Sequence, residues 1–336
     1  ATNVKKTGFN TPELTLPGIM SYKGGHATIE SVTITGPFNP TGPGDTESRR
    51  RIFTCYPDVH ADVAAQERCA ESILGSIARK AYRRPVTETD IGSLLDLFRQ
   101  GRNGQDFEGG IGLALQGILA GPEFLFRVES DPPSMPPGKF YRLSDIELAS
   151  RLSFFLWSSI PDDELLDLAI DGRLHEPDVL EAQVRRMVAD DRSAAFVENF
   201  TGQWLQLRNL EQRVIPDASV FPDFNDNLRK AFRTETEMLF ASVLQEDRSV
   251  LDLLRADYTF VNERLARHYG IPGVYGTRFR RVEVTDPNRQ GLLGHGSLLS
   301  LTSASTRTSP IIRGKFVVSN LMNSPPPEPP AMVCLL

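Results

Sequence analysis

The chain has 336 residues, 40% of them hydrophobic and 24% charged, and a formal net charge of −6. That length exceeds what one core organises, so two or three domains are expected. The acidic balance gives no general electrostatic reason to bind nucleic acid or an anionic membrane, and no apolar run approaches the roughly 20 residues that cross a bilayer.

In chain order, residues 1–54 are expected to be a β-rich arm or the tail of a preceding domain. "HATIESVTITGPF" alternates and is rich in β-branched residues, and no helix can cross the Gly/Pro turn "GPFNPTGPGDT". That turn lacks the oxygen-ligand spacing of an EF-hand loop. An opening at Ala1, with neither initiator Met nor signal peptide, implies a removed leader or a start inside a longer polypeptide.

Residues 55–131 are expected to form a small helical domain. Cys55 and Cys69 flank the polar loop "CYPDVHADVAAQERC". If the protein is exported they can close a disulfide; otherwise they are two buried thiols. Cys334 is the odd cysteine, with any partner expected outside these residues. No CxxC occurs, which excludes a zinc ribbon, and no CxxCH, which excludes covalent haem c within this chain. "CAESILGSIARKAY" places Ile73, Ile77 and Ala81 on one helical face. Thr87 and Asp90 have the spacing of a capping box, Gly101 suits a left-handed helix end, and a Gly-rich third helix halts before Pro122.

"SDPPSMPPGK" marks a boundary, after which residues 138–272 are expected to be the main helical domain. Ser144 and Glu147 form a second capping box, and the helices that follow have Pro early, Asp or Asn caps, or Gly at the end. The pairs Asp162–Asp163 and Asp190–Asp191 are explained by capping, and Trp157 and Trp204 by core packing. Residues 273–324 mix a short strand, turns and a helix around "RTSP" and "RGK", and 325–336 is a proline-rich linker stub. The fold class is therefore mainly α: a multi-helix body, a β-rich N-terminal arm and a mixed C-terminal segment ending in a linker.

Several stretches are long enough to be specific: "AYRRPVT", "FEGGIGLALQGILAGPEFLFR", "YRLSDIELASRLSFFLWSSIPDDELLDLA", "FVENFTGQWLQLRNL", "LDLLRADYTFVNERLARHYGIP" and "TRTSPIIRGKFVVSNLMNSPPPEPP". Across residues 49–330 the chain resembles large secreted bacterial proteins, abundant in planctomycetes, that carry a tandem of uncharacterised domains associated with cytochrome c modules. The resemblance implies export (periplasmic, extracellular or cell-surface), a presumed redox or electron-transfer role, and a cytochrome c domain or subunit as partner. It also implies a haem-bearing CxxCH module after the linker and a carbohydrate-binding-like β domain before the helical body. It transfers no catalytic residue. The alternative is a non-catalytic extracellular glycan-binding or scaffold protein.

One cluster holds chemistry. Arg307, Thr308, Ser309, Arg313 and Lys315 gather donors and fixed positive charge in an acidic chain. They suit either an anionic ligand or a clamp onto a buried acid. Glu235 is a candidate acid, lying on the apolar stripe of Leu228, Phe232, Leu239 and Val243, and Arg151 is awkwardly placed among apolar residues. The expectation is a network in which these arginines join Glu235 and hold lobes together, with a ligand site as the alternative. Of the histidines, His26, His60 and His175 are expected in solvent. His268 suits the last turn of a helix. His295, between glycines in "LLGHGSLL", would let a planar group approach, making it and His268 candidate haem or metal ligands.

Overall fold

The computed structural model describes residues 44–57, 62–102, 106–129 and 138–327, with positions 33, 35, 36, 38, 39 and 136 besides. Most of the β-rich arm expected over 1–54, with His26, His60 and Cys334, lies outside the described residues; of its described part, Glu47–Ile52 is α-helix rather than strand. Residues 37–193 form one compact unit, and residues 194–336 are the body of a second. The break at 193/194 falls inside the 138–272 stretch expected to be one domain.

The first unit is helical: α1 (Glu47–Ile52), α2 (Val63–Tyr82), α3 (Glu88–Arg102), α4 (Phe107–Ala120), α5 (Pro122–Leu125), α6 (Asp145–Trp157), α7 (Asp163–Ile170) and α8 (Pro177–Ala189). Both capping boxes form. The Thr87 amide donates to Asp90 at 2.8 Å and the Asp90 amide returns to Thr87 Oγ1 at 3.2 Å. Ser144 and Glu147 exchange the same pair of bonds at the start of α6. Ile73, Leu74, Phe98, Ile111 and Ile118 are fully buried between α2, α3 and α4, each worth about 1.5–3 kcal/mol of transfer free energy.

Gly101 does not end its helix, as the sequence had suggested; α3 runs through it to Arg102. Its role is close approach, because a Cβ there would stand 2.7 Å from the Gly109 carbonyl oxygen and from Leu113. Arg83, the left-handed cap of α2 at φ 57°, sends its guanidinium to the carbonyls of Ala81, Glu123 and Phe126. Cys55 and Cys69 are joined as a disulfide.

The second unit comprises α9 (Ala194–Trp204), α10 (Asn209–Gln212), α11 (Asp226–Gln245), α12 (Asp252–Arg255), β1 (Tyr258–Val261), α13 (Glu263–Tyr269), β2 (Arg280–Glu283), α14 (Gly296–Leu301) and α15 (Pro310–Phe316). Strands β1 and β2 pair antiparallel, Tyr258 opposite Glu283 and Val261 opposite Arg280. β1 corrects the expectation of helix up to residue 272. "YTFV" is aromatic and β-branched and has strand propensity of its own, and Asn262 starts a new helix by accepting from the Leu265 amide at 3.0 Å. α11 is the axis of this unit, with Leu228, Phe232, Leu239 and Val243 on its buried face. Trp204 and Asn320 exchange hydrogen bonds of 2.8 and 2.9 Å, tying the segment after α15 to α9. No described helix is long and apolar enough to cross a membrane.

Candidate anion-binding cavity

The buried face of α11 carries Glu235, 1% exposed, and Thr236, fully buried. A carboxylate in such a place needs donors on both oxygens, and two elements supply them. From β1, Thr259 donates to Glu235 Oε1 at 2.7 Å. From the last turn of α13, the Tyr269 phenol donates to Oε2 at 2.6 Å. Burial still outweighs both bonds and the nearby Arg289 charge, and pushes the carboxyl up to about 7.

His295 caps this network from the turn before α14. Its Nδ1 lies 3.0 Å from Thr236 Oγ1, which is also 2.6 Å from Ser297 Oγ. Its Nε2 points toward Thr259 and stands 3.9 Å from Glu235 Oε1. Burial, aided by the Arg289 charge, holds this imidazole down to about 3, so it is neutral at pH 7.

Tyr269 connects the network to open space. Its ring stacks on Phe232 at 6.2 Å and 17°, the Arg289 guanidinium lies 4.0 Å above it, and its oxygen accepts the Gly296 amide at 2.8 Å. Phe232, Tyr269 and Gly296 also form part of the wall of a cavity of about 730 Å³. Arg213, Arg289, Arg307 and Arg313 line the same cavity, with Asp223 as its one lining carboxylate among the described residues. The wall between these charges includes the apolar side chains of Val214, Phe224 and Ile312.

The structure brings Arg307, Thr308 and Arg313 to that cavity but not to Glu235. Among the described residues neither arginine has a carboxylate partner. Arg307 is exposed, and Arg313 Nε donates to Thr302 Oγ1 at 3.3 Å. The expected arginine clamp on Glu235 is thus replaced by a neutral phenol and a hydroxyl, which satisfy both oxygens without burying a second charge. Thr308 forms a backbone bridge to Ser303, and Ser309 caps α15 by accepting from the Ile312 amide at 3.3 Å. Lys315 is exposed.

Arg151 belongs to the first unit and pairs with Glu129 at 2.7 Å. His268 occupies the last turn of α13, edge-on to Phe232 at 5.3 Å, and lines the cavity; burial first, then the charges of Arg264 and Arg289, hold it below its usual range. His175, in the first unit, faces Asp145 at 3.0 Å. For His295 the planar group that approaches is internal. A Cβ on Gly296 would land in the edge of the Phe232 ring, and both imidazole nitrogens face side-chain hydroxyls. Sequence reasoning missed Tyr269, Thr259 and Arg289; the signal for Tyr269 was the unpartnered Glu235 itself.

Three protein families match the chain in tandem. Residues 69–129 match PSD5, described as "Protein of unknown function (DUF1595)". Residues 143–271 match PSD4, "Protein of unknown function (DUF1592)", and residues 289–336 match PSCyt3, "Protein of unknown function (DUF1588)". Neither a curated protein nor a solved structure matches the chain. The cavity draws its walls from two of these stretches: Phe232, His268 and Tyr269 from the region similar to the second family, and Arg289, Arg307 and Arg313 from the region similar to the third.

Proposed function

We propose that the protein is the helical body of an exported multidomain protein that works beside a c-type cytochrome module, and that the cavity of its second unit receives a carboxylate-bearing, partly apolar ligand. One observation carries the ligand class: among the described residues four arginines line one cavity of mixed polar and apolar wall against one aspartate, and none of the four has an ion-pair partner. Guanidinium groups left unpaired beside apolar walls suit an organic anion, with the charge met by the arginines and the body by the apolar surface. The propionate edge of a haem carried by the partner module belongs to that class, which is how the cavity would serve an electron-transfer assembly. The Cys55–Cys69 disulfide supports export, since such bonds persist in oxidising compartments. The short name PSCyt3 of the family matched at 289–336 supports the cytochrome association.

Calorimetric titration of the protein with benzoate and with benzamide tests the ligand class. Benzoate is expected to bind at least tenfold more tightly than the neutral amide and to weaken with added salt. Equal affinities, or none, overturn the assignment. The cytochrome association is tested separately, by the visible spectrum of the complex purified from its native host; a missing Soret band removes it.

A further inference from the structure

Tyr269 has a single proton to share, and two claims on it. In the structure, that proton is donated to Glu235 Oε2 at 2.6 Å, while the phenol oxygen accepts from the Gly296 amide. Tyr269 is also one of the residues that line the cavity, with the Arg289 guanidinium 4.0 Å above its ring. The relay requires an anion drawn in by the arginines to come within hydrogen-bond reach of that phenol. If the phenol turns its proton to that anion, Glu235 Oε2 loses its donor at a site 1% exposed to solvent. Two negative charges would then face each other across one phenol in low-dielectric surroundings.

Building on the anion-binding role of this cavity, we infer that Glu235 and Tyr269 form a proton relay, and that an organic anion binds together with one proton taken up by Glu235. The balance is simple. One solvent proton adds to the Glu235 carboxylate, the new carboxylic acid donates to Tyr269 Oη, and the phenol O–H donates to the ligand. No covalent bond to the ligand forms, and no electron moves. The ligand class is a carboxylate that ionises well below neutrality and so keeps its own charge throughout.

The groups around Glu235 leave it as the member of the set that changes charge near neutrality. Thr259 on β1 and Thr236 on α11 do not ionise in this range. His295 is held neutral by burial, and burial raises the Tyr269 phenol well above its ordinary value. Arg289 stays charged. In the cavity itself, His268 is held low and is already neutral above pH 7.

The test is proton-linkage calorimetry with benzoate, run in buffers of different ionisation enthalpy. Wild-type protein should take up close to one proton per benzoate at pH 8 and close to none at pH 6, where Glu235 already holds its proton. Its affinity should fall about tenfold per pH unit above pH 7. Glu235→Gln, whose amide mimics the protonated acid, should show no uptake, a flat affinity profile, and tighter binding than wild type at pH 8. Tyr269→Phe keeps the ring stacked on Phe232 but has no proton to relay. It should bind more weakly and show no tenfold decline.

Benzoate binding with no proton uptake at pH 8, or the same uptake in Glu235→Gln, overturns the relay while leaving the anion site standing. No benzoate binding at either pH removes the anion site and the relay with it.

Discussion

The Tyr269 phenol stands 2.6 Å from Glu235 Oε2 and 2.8 Å from the Gly296 amide nitrogen, so one oxygen joins a buried acid and a helix start, on a residue that lines the cavity. The acid is on α11, the phenol on α13 and the amide at the start of α14. A shift in any of these elements therefore reaches the other two through a hydrogen bond whose loss would strand a buried polar group, which costs about 1–3 kcal/mol.

The stability of the second unit should carry two opposing pH dependences. Glu235 is raised from 4.5 to about 7, so its contribution is full below pH 4.5 and is lost as pH rises toward 7. His295 is lowered from 6.5 to about 3, so its contribution is full above pH 6.5 and is lost as pH falls toward 3. Between pH 4.5 and 6.5 the slopes, each about 1.4 kcal/mol per unit, offset one another. Glu235→Gln should leave stability rising relative to wild type across that window by about 2–3 kcal/mol, and His295→Gln should leave it falling by as much. Urea unfolding at the two pH values measures both. Profiles parallel to wild type would mean that neither group titrates as its burial requires.

Arg307 and Arg313 separate a ligand site from a structural clamp. Neither holds a carboxylate among the described residues. Arg307→Ala should leave the unfolding free energy within about 0.5 kcal/mol of wild type, as for an exposed position without special contacts, and Arg313→Ala should cost about 0.5–1.5 kcal/mol for its hydrogen bond to Thr302. Each should weaken benzoate about tenfold or more, the scale of a hydrogen bond to a charged group. Loss of the fold in both variants would restore the clamp.

How far the site was legible follows from where its parts lie. That Glu235 sits on the buried stripe of α11 follows from helical spacing, and so does its need for a donor. The donors did not follow, because Thr259 and Tyr269 are 24 and 34 residues away and arrive through β1 and α13. A strand of four residues inside a helix-rich stretch is too short for periodicity to detect, and its four-residue partner lies beyond the next helix. Guanidinium chemistry was the obvious answer to a buried acid, yet a phenol and a hydroxyl suffice when the acid can hold its own proton. The glycines beside His295 suggested room for a bound planar group, but Gly296 packs against the Phe232 ring and Gly294 against the Arg289 backbone. Nothing in local sequence could say that the neighbour was Phe232.

The Cys55–Cys69 bond closes a loop of sequence separation 14 in the first unit. Chain entropy alone makes such a closure worth about 3 kcal/mol. Cys55→Ala with Cys69→Ala should lower the stability of residues 37–193 by about that amount and leave the unfolding of the second unit unchanged. Hydrogen exchange resolved by peptide reads both units in one experiment. Equal loss in the two would show that they unfold together rather than as separate units.

Gly296 offers the sharpest steric test. Its amide is held by Tyr269, and the space where a Cβ would go is filled by the edge of the Phe232 ring. The backbone cannot retreat without giving up that bond, and Phe232 is 2% exposed on α11 with little room to move. Gly296→Ala should therefore cost about 1–3 kcal/mol, the range for overpacking a filled core. It should also weaken benzoate, because the displaced ring is part of the cavity wall. Phe232→Leu removes the ring edge and leaves a gap of its own. Combined, the two changes should be less destabilising than the sum of the singles, the added methyl occupying space the ring has vacated. Additive losses in urea unfolding would mean that the Phe232 ring is not what limits a side chain at position 296.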